Sequence, residues 1–535
     1  MAKLHAESLL DKSSSFTNRT EYLKHLYHKY VANHYHPMEG IVLQQADGYF
    51  VKAVDGRVFT DFFASYAVVN AGHRCPEIAI AAFSQMLKLH STGGAYNNEP
   101  YCELAKVVHD AFGYDKMLPC NGGAEAVEGA IKIATRWWHD NKKGKGELDD
   151  KDTAIIVGTN GAYHGQSGGV WSFRDSEEET RGFDPAPRNR RKVPFGDADA
   201  LEELFKKEGQ NIAAFLVEPI QGEGGVIVPP KGYLRRVREL CTKYNVKWIG
   251  DEIQAGLGRT GKMLAQEHEG VRADIVLLGK GLAGGLLPVS LILADEETMS
   301  VLGPGDHGST FGGNPAGSAI AIATLKILKE LCALSEKTGA YALDKVHEKL
   351  DKYTKGDNPI IKDIRGKGLF IGLEFTNSAI GIRDVLIRHG ILCKQTKENT
   401  LRITPPLTMP ENIIDLFVDM VAEICEAKAQ GKNLKDLQIT PMIDRLAGIG
   451  IKPEFNYGSK ILSEVLSGNI AKAETAKELD SIDEQIVKLQ QKSLARRKEL
   501  GLEKEPRTFV EMTGKTANQN RFVALVTSNT EREHQ

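Results

Sequence analysis

The sequence predicts an α/β fold built on a largely parallel sheet, and three observations carry that expectation. Apolar runs at residues 154–157, 213–217, 246–249, 275–278 and 289–293 alternate with stretches of helical spacing, which is how a parallel sheet with crossover helices reads. The run at 275–278 is followed by Gly279-Lys280-Gly281-Leu282-Ala283-Gly284-Gly285. The run at 246–249 is followed by Gly250-Asp251-Glu252-Ile253-Gln254. Strands buried on both faces read as continuous apolar runs, and in open α/β sheets ligands collect at the carboxyl ends of the strands. Lys280 and Asp251 are therefore expected to face one crevice from neighbouring strands.

The elements follow in chain order. Residues 1 to about 45 read as helical and then extended. Asp55-Gly56 between strand-like runs marks a hairpin across 49–62. Leu118-Pro119-Cys120 ends a strand, and Asn121-Gly122-Gly123-Ala124 opens a helix whose apolar face includes Val127, Ile131, Ala134 and Trp138. Leu234, Val237, Leu240 and Cys241 put a helix across 232–244. Gly312-Gly313-Asn314-Pro315 starts a long helix expected to reach about Lys326. Residues 340–430 read as a smaller α+β unit. A linker is expected at 431–435, and Leu479, Ile482, Ile486 and Leu489 make one apolar helical stripe, more in keeping with a docking face than a coiled coil. A mobile tail is expected from 503 to the end.

Totals bound the function. A chain of 535 residues is expected to form two to four domains. Its 41% hydrophobic and 26% charged residues are ordinary for a soluble protein, and a net charge of −3 suggests neither nucleic-acid nor membrane binding. There is no apolar run of transmembrane length, and the amino terminus lacks the apolar core of a secretory signal. Lys12 to Thr20 is rich in Ser and Thr, but Glu7 and Asp11 argue against a transit peptide. Seven scattered cysteines without a CxxC pair fit reduced thiols in a cytoplasm and no zinc site.

A lysine condenses with an aldehyde and an aspartate can hold a pyridinium nitrogen protonated, which is the pairing that pyridoxal phosphate needs. The helix start at Gly122-Gly123-Ala124 would let backbone N–H groups approach a phosphate, and Gly308-Ser309-Thr310 is a second candidate. Plainer readings stand beside these: most lysines are solvated charges, and most aspartates after strands cap helices or turns. Glu125 and Glu128 read as first-turn charges, His73 and His307 as hydrogen-bonded structural residues, and Trp137-Trp138 as packing. Gly256-Leu257-Gly258-Arg259-Thr260-Gly261-Lys262 matches a nucleotide phosphate loop, but Met263 follows it, and a thioether cannot ligate magnesium as Ser or Thr does.

Val217-Glu218-Pro219-Ile220-Gln221-Gly222-Glu223, Asp251-Glu252-Ile253-Gln254, Gly279-Lys280-Gly281-Leu282 and His307-Gly308-Ser309-Thr310-Phe311-Gly312-Gly313-Asn314 occur in this order. Together they resemble the class III (ω-) aminotransferases, which have the pyridoxal-phosphate-dependent transferase fold type I. The likeness spans roughly residues 25–430. His34-Tyr35-His36-Pro37 and Ser65-Tyr66-Ala67 are similar to the ornithine δ-aminotransferase branch. The resemblance implies a large domain with a mainly parallel seven-stranded sheet over 71–335 and a small α+β domain over 336–430. It also implies an amino-terminal segment, 1–70, that serves the small domain and a dimer interface. A mostly helical extension, 431–535, is left without a role.

The resemblance also implies roles. Lys280 would bond the cofactor and move the proton, Asp251 would pair with the ring nitrogen, and Gln254 would contact the ring hydroxyl. Tyr163 would stack on the ring, and Glu218 would belong to the cofactor site. Gly123 and Ala124 would give N–H groups to the phosphate, and Thr310 would reach the phosphate of a partner subunit, hence a homodimer with shared sites, higher oligomers remaining open. Glu223 would mask Arg402 while an ω-amine reacts and free it to clamp the carboxylate of 2-oxoglutarate. Tyr35, Tyr66 and Gln166 would line the substrate site. A guanidinium fork binds a carboxylate bidentately but repels a terminal ammonium, so a carboxylate that covers it resolves the conflict.

One departure bears on substrate. Tyr163-His164-Gly165 is followed by Gln166 where the family usually has arginine for the distal carboxylate, and a charged hydrogen bond is worth about twice a neutral one. Either Arg174, Arg181 or Arg188 takes over, or the donor's distal end differs from that of ornithine. The expected function is transfer of the terminal amino group of a basic amino acid, L-ornithine first, to a 2-oxo acid, 2-oxoglutarate first. Acetylornithine, lysine or β-lysine, 4-aminobutyrate and diamines stand as alternative donors. A non-catalytic protein acting through its extension is the alternative of another class.

Overall fold

The computed structural model describes residues 18–35, 37–38, 40–143, 153–175, 180, 182 and 189–455. The stripe at 479–489, the tail from 503, Arg181 and Arg188 lie outside the described residues. Two compact units are present. Among the described residues, one holds positions within 18–47 with 51–57 and 453–455, and the other holds 48–50 with 58–452.

The first unit contains the helix Arg19–Tyr30, capped by the Asn18 side chain accepting from the Glu21 N–H, and strand β1, Leu43–Asp47. Its residues 51–57 close a tight turn in which Ala53 N–H donates to the Arg57 carbonyl at 2.9 Å. This turn, at Asp55-Gly56, lies between β2, Phe50–Ala53, and β3, Val58–Asp61, as the Asp-Gly signal predicts.

The second unit is organised by a seven-stranded sheet. Its strands are β4 (Lys116–Cys120), β5 (Ile155–Thr159), β6 (Arg190–Val193), β7 (Ile212–Val217), β8 (Lys247–Asp251), β9 (Ile275–Leu278) and β10 (Ser290–Ala294), in the order β4-β10-β9-β8-β7-β5-β6. Only β10 runs against the rest, antiparallel to both neighbours; β9, β8, β7, β5 and β6 pair in parallel. Every residue of β5, β7, β8, β9 and β10 is buried, which is why all five read as continuous apolar runs. The edge strand β6, Arg-Arg-Lys-Val, carries no such run and gives no strand signal. The helix Gly123–Trp137 lays Val127, Ile131 and Ala134 into a core shared with Ile156, Leu216, Ile249, Leu277 and Ile292.

The long helix starts where expected, with the Asn314 side chain accepting from Gly317 N–H at 2.7 Å, but it runs to Leu350 rather than to about Lys326. Its second half buries Leu331, Ser335, Thr338, Gly339, Ala342, Val346 and Leu350, a stripe of small and polar residues that hides the period. Residue 335 therefore lies inside a continuous helix. A second sheet, β11 (Ile361–Lys367), β12 (Phe370–Phe375), β15 (Thr400–Ile403) and β14 (Lys394–Thr396), is antiparallel throughout. The short β13, Ile391–Leu392, pairs in parallel with β3, and the helix Glu411–Ala429 follows.

The start of the extension is not a bare linker. After residues 431–435 comes a helix, Met442–Gly448, with Met442 and Leu446 buried. Met442 N–H donates to the His389 carbonyl at 2.8 Å.

Candidate active site

β8 and β9 pair in parallel with Asp251 opposite Leu277. The Asp251 carboxylate and Lys280, two residues beyond β9, thus emerge at the same end of neighbouring strands, as the sequence predicts. Asp251 is buried; one oxygen accepts from Ile253 N–H at 3.1 Å and the other lies 2.7 Å from His164 Nδ1. Burial alone would lower the His164 pKa, but the hydrogen bond and charge of Asp251 outweigh it and hold the imidazole above its usual value. His164 was missed by sequence reasoning, since 87 residues separate it from Asp251; its place between Tyr163 and Gly165 was the one available signal.

Lys280 has φ 42°, a left-handed conformation that costs a non-glycine residue of order 1–3 kcal/mol and gathers at functional positions. Burial lowers its amine to about 8, with the Glu223 charge opposing. Glu218 is buried; its carboxylate accepts from Tyr163 N–H at 3.0 Å and Gly222 N–H at 3.1 Å. Burial raises this carboxyl to about 7.

Gly123 and Ala124 open the helix Gly123–Trp137, so their N–H groups are first-turn donors without an intrahelical acceptor. Glu125 turns back to accept from Asn121 and Gly122 N–H at 2.9 and 3.3 Å, confirming it as a first-turn charge. Gly165, at φ 116°, allows the Tyr163-His164-Gly165 segment against this helix start: a Cβ there would meet the Ala124 Cβ at 2.6 Å. The Arg174 guanidinium lies over the Tyr163 ring, 5.0 Å from its centroid. Gln166 is exposed.

Arg402, in β15, is 1% exposed, and one of its nitrogens meets the Glu223 carboxylate at 2.5 Å. Burial would raise the Glu223 carboxyl, but Arg402, with Lys280 and Lys394, holds it below the usual range. Thr396 Oγ1 donates to the Glu223 carbonyl at 2.5 Å and fixes the Glu223 backbone. Tyr66 lies with its ring centroid 5.5 Å from the Arg402 guanidinium, and its carbonyl accepts from Gln254 Nε2 at 3.1 Å. Lys394 also reaches Tyr66, and sequence reasoning did not single it out.

The remaining candidates are placed less centrally. Thr310 is exposed; beside it Ser309 Oγ accepts from Asn121 Nδ2 at 2.7 Å. Tyr35 belongs to the first unit, is 49% exposed and packs edge-on against His34. His73 pairs with Asp61 at 2.8 Å, the structural role expected of it. The phosphate-loop look-alike closes on itself, with Gly258 N–H donating to the Lys262 carbonyl at 3.0 Å and Lys262 paired with Glu336 at 3.1 Å. No cluster of metal-ligating residues occurs among the described residues.

The donor set fits pyridoxal phosphate. An amine with a lowered pKa and a buried carboxylate backed by an imidazole stand at one sheet end, and first-turn N–H donors lie beside Gly165.

A model of the class III aminotransferases matches residues 30–425. An ornithine aminotransferase, mitochondrial, of Arabidopsis thaliana is 43% identical over 403 residues, covering 74% of this chain and 83% of that one. A solved ornithine aminotransferase of Toxoplasma gondii, with pyridoxal phosphate partly occupying its active site, is 35% identical with a TM-score of 0.73, covering 80% and 98%. A solved acetylornithine aminotransferase of Elizabethkingia anophelis is 37% identical with a TM-score of 0.67, covering 77% and 100%.

Proposed function

We propose that this chain, which belongs to the class III aminotransferases, moves the terminal amino group of L-ornithine to 2-oxoglutarate, leaving a semialdehyde and forming an amino acid. The observation that carries the reading is the Glu223–Arg402 pair at 2.5 Å, its arginine buried, in electrostatic reach of Lys280. Bound pyridoxal phosphate supplies an aldehyde to carry the amino group and a ring to take up electron density.

The chain's own residues do the rest. Lys280 would hold the cofactor and then move a proton at the donor's terminal carbon; its lowered pKa suits it to act as a base near neutral pH. Asp251, oriented by His164, keeps the proton on the ring nitrogen. Gly123 and Ala124 would hold the phosphate, Tyr163 would stack on the ring and Gln254 would meet the ring hydroxyl, while Glu218 anchors the Tyr163 backbone. Glu223 neutralises Arg402 while a cationic amine is bound. Released, it leaves the guanidinium for the acceptor's carboxylate.

Thr310 would serve a partner's site in a homodimer. Its exposure supports this, as do the 61% exposed Phe311 beside it and the 75% exposed Tyr96. Seven scattered cysteines without a CxxC pair support a reducing, cytoplasmic setting, and among the described residues no helix is long and apolar enough to cross a membrane. The assembled site argues against a non-catalytic protein acting through residues 431–535.

The test is the cofactor's visible absorbance as L-ornithine and then 2-oxoglutarate are added. The band should fall with the first and return with the second. A cofactor band indifferent to ornithine would overturn the donor. Exposed, uncharged Gln166 keeps acetylornithine, lysine or β-lysine, 4-aminobutyrate and diamines open as the next donors to try.

A further inference from the structure

Beside the Glu223–Arg402 pair stands a second cation with no assigned role. The antiparallel register of β14 and β15 sets Lys394 directly opposite Arg402. Like charges opposed across two strands destabilise the pair, so this placement requires compensation, and three features provide it. Lys394 Nζ donates a hydrogen bond to the Tyr66 hydroxyl and lies 4.7 Å from the ring centroid. The same ring is 5.5 Å from the Arg402 guanidinium, so one aromatic side chain serves both cations. Glu223 supplies the negative charge.

Tyr66 itself is held firmly. Ala64, Ser65, Tyr66 and Ala67 all have φ between 45° and 64°, a left-handed turn that costs roughly 1–2 kcal/mol per residue. Asp61 secures it by accepting from Phe63 and Ala64 N–H, each at 2.8 Å, and Gln254 ties down the Tyr66 carbonyl. Glu223 occupies one Arg402 nitrogen, while Nε and the other terminal nitrogen, both buried, have no hydrogen-bond partner among the described residues. A guanidinium with two donors unused is suited to a bidentate carboxylate.

Resting on the aminotransferase reading, we propose that Lys394 is a positioning and specificity residue for the acceptor half of the reaction. It fixes Tyr66 beside Arg402, and once Glu223 leaves it makes the pocket dicationic, which favours a carboxylate-bearing acceptor over a neutral one. While Glu223 is in place its charge cancels one of the two, so the cationic donor meets a weaker field and depends on Lys394 less.

The experiment uses the full chain with Lys394→Met and Lys394→Arg. Loading the enzyme with pyridoxamine phosphate isolates the acceptor half from any donor. In K394M the preference for 2-oxoglutarate over butanal should fall about tenfold, mostly through KM, the equivalent of about 1.4 kcal/mol. Calorimetric binding of glutarate, an unreactive dicarboxylate, should weaken by a similar factor, and K394R should recover most of both. An unchanged preference and unchanged glutarate affinity, or equal loss with butanal, would overturn the proposal. A wild-type enzyme that ignores ornithine yet converts 2-oxoglutarate would overturn only the donor.

Discussion

At the scale of single residues, the site is governed by charges removed from water and paired. Lys280 shows the consequence most directly. With its amine lowered to about 8, roughly a tenth is neutral at pH 7 and about nine tenths at pH 9, by the ordinary titration relation. Only the neutral amine attacks an aldehyde, so capture of pyridoxal phosphate by the apoprotein should quicken close to tenfold across that interval. Stopped-flow absorbance measures it, and a flat profile would refute a lowered pKa. The sign for stability is opposite to that of a lysine gaining a partner. Between about 8 and 10.5 the unfolded chain holds the extra proton, so the apoprotein should gain stability as pH rises through that window. Lys280 and Asp251 were legible because each follows a buried strand. His164 and Lys394 were not, since their partners, Asp251 and Tyr66, are distant in sequence and adjacent only in the fold.

At the scale of elements, burial decided what could be read. The five fully buried strands announce themselves, whereas β6 and the second half of the helix Pro315–Leu350 pass unnoticed, because charged edges and small-residue stripes carry no apolar period. That helix half holds a testable contact. A Cβ on Gly339 would lie 2.1 Å from the Gly368 carbonyl carbon, at the turn between β11 and β12. Alanine is better than glycine in a helix interior by about 1 kcal/mol, so propensity alone favours Gly339→Ala. Backbone cannot yield as a flexible side chain does, and overpacking costs about 1–3 kcal/mol or more. Gly339→Ala should therefore lower the melting temperature by several degrees. Gly381→Ala, in the helix Ile380–Arg388 and with nothing nearer than 3.4 Å, should leave it unchanged or raise it slightly. A Gly339→Ala variant as stable as the parent would show that helix and turn can separate.

At the scale of the whole molecule, the family match ends at residue 425, yet the ordered packing does not. His389 ties the chain beyond that point to the second unit through both faces of its residue: its carbonyl accepts from Met442 N–H, and its Nε2 accepts from Ile439 N–H at 3.3 Å. Arg445 adds a two-oxygen contact with Glu423 at 2.7 Å, and Met442 and Leu446 are each 1% exposed. Burying two such side chains contributes about 1.5–3 kcal/mol each. Residues 439–448 thus form a strap that completes the second unit. A chain ending at residue 430 should lose the strap and melt several degrees lower. A chain ending at Phe455 keeps the strap and should melt above the shorter one. Calorimetry on the two truncations decides it. If the two truncations melt together, the Met442–Gly448 helix contributes no stability.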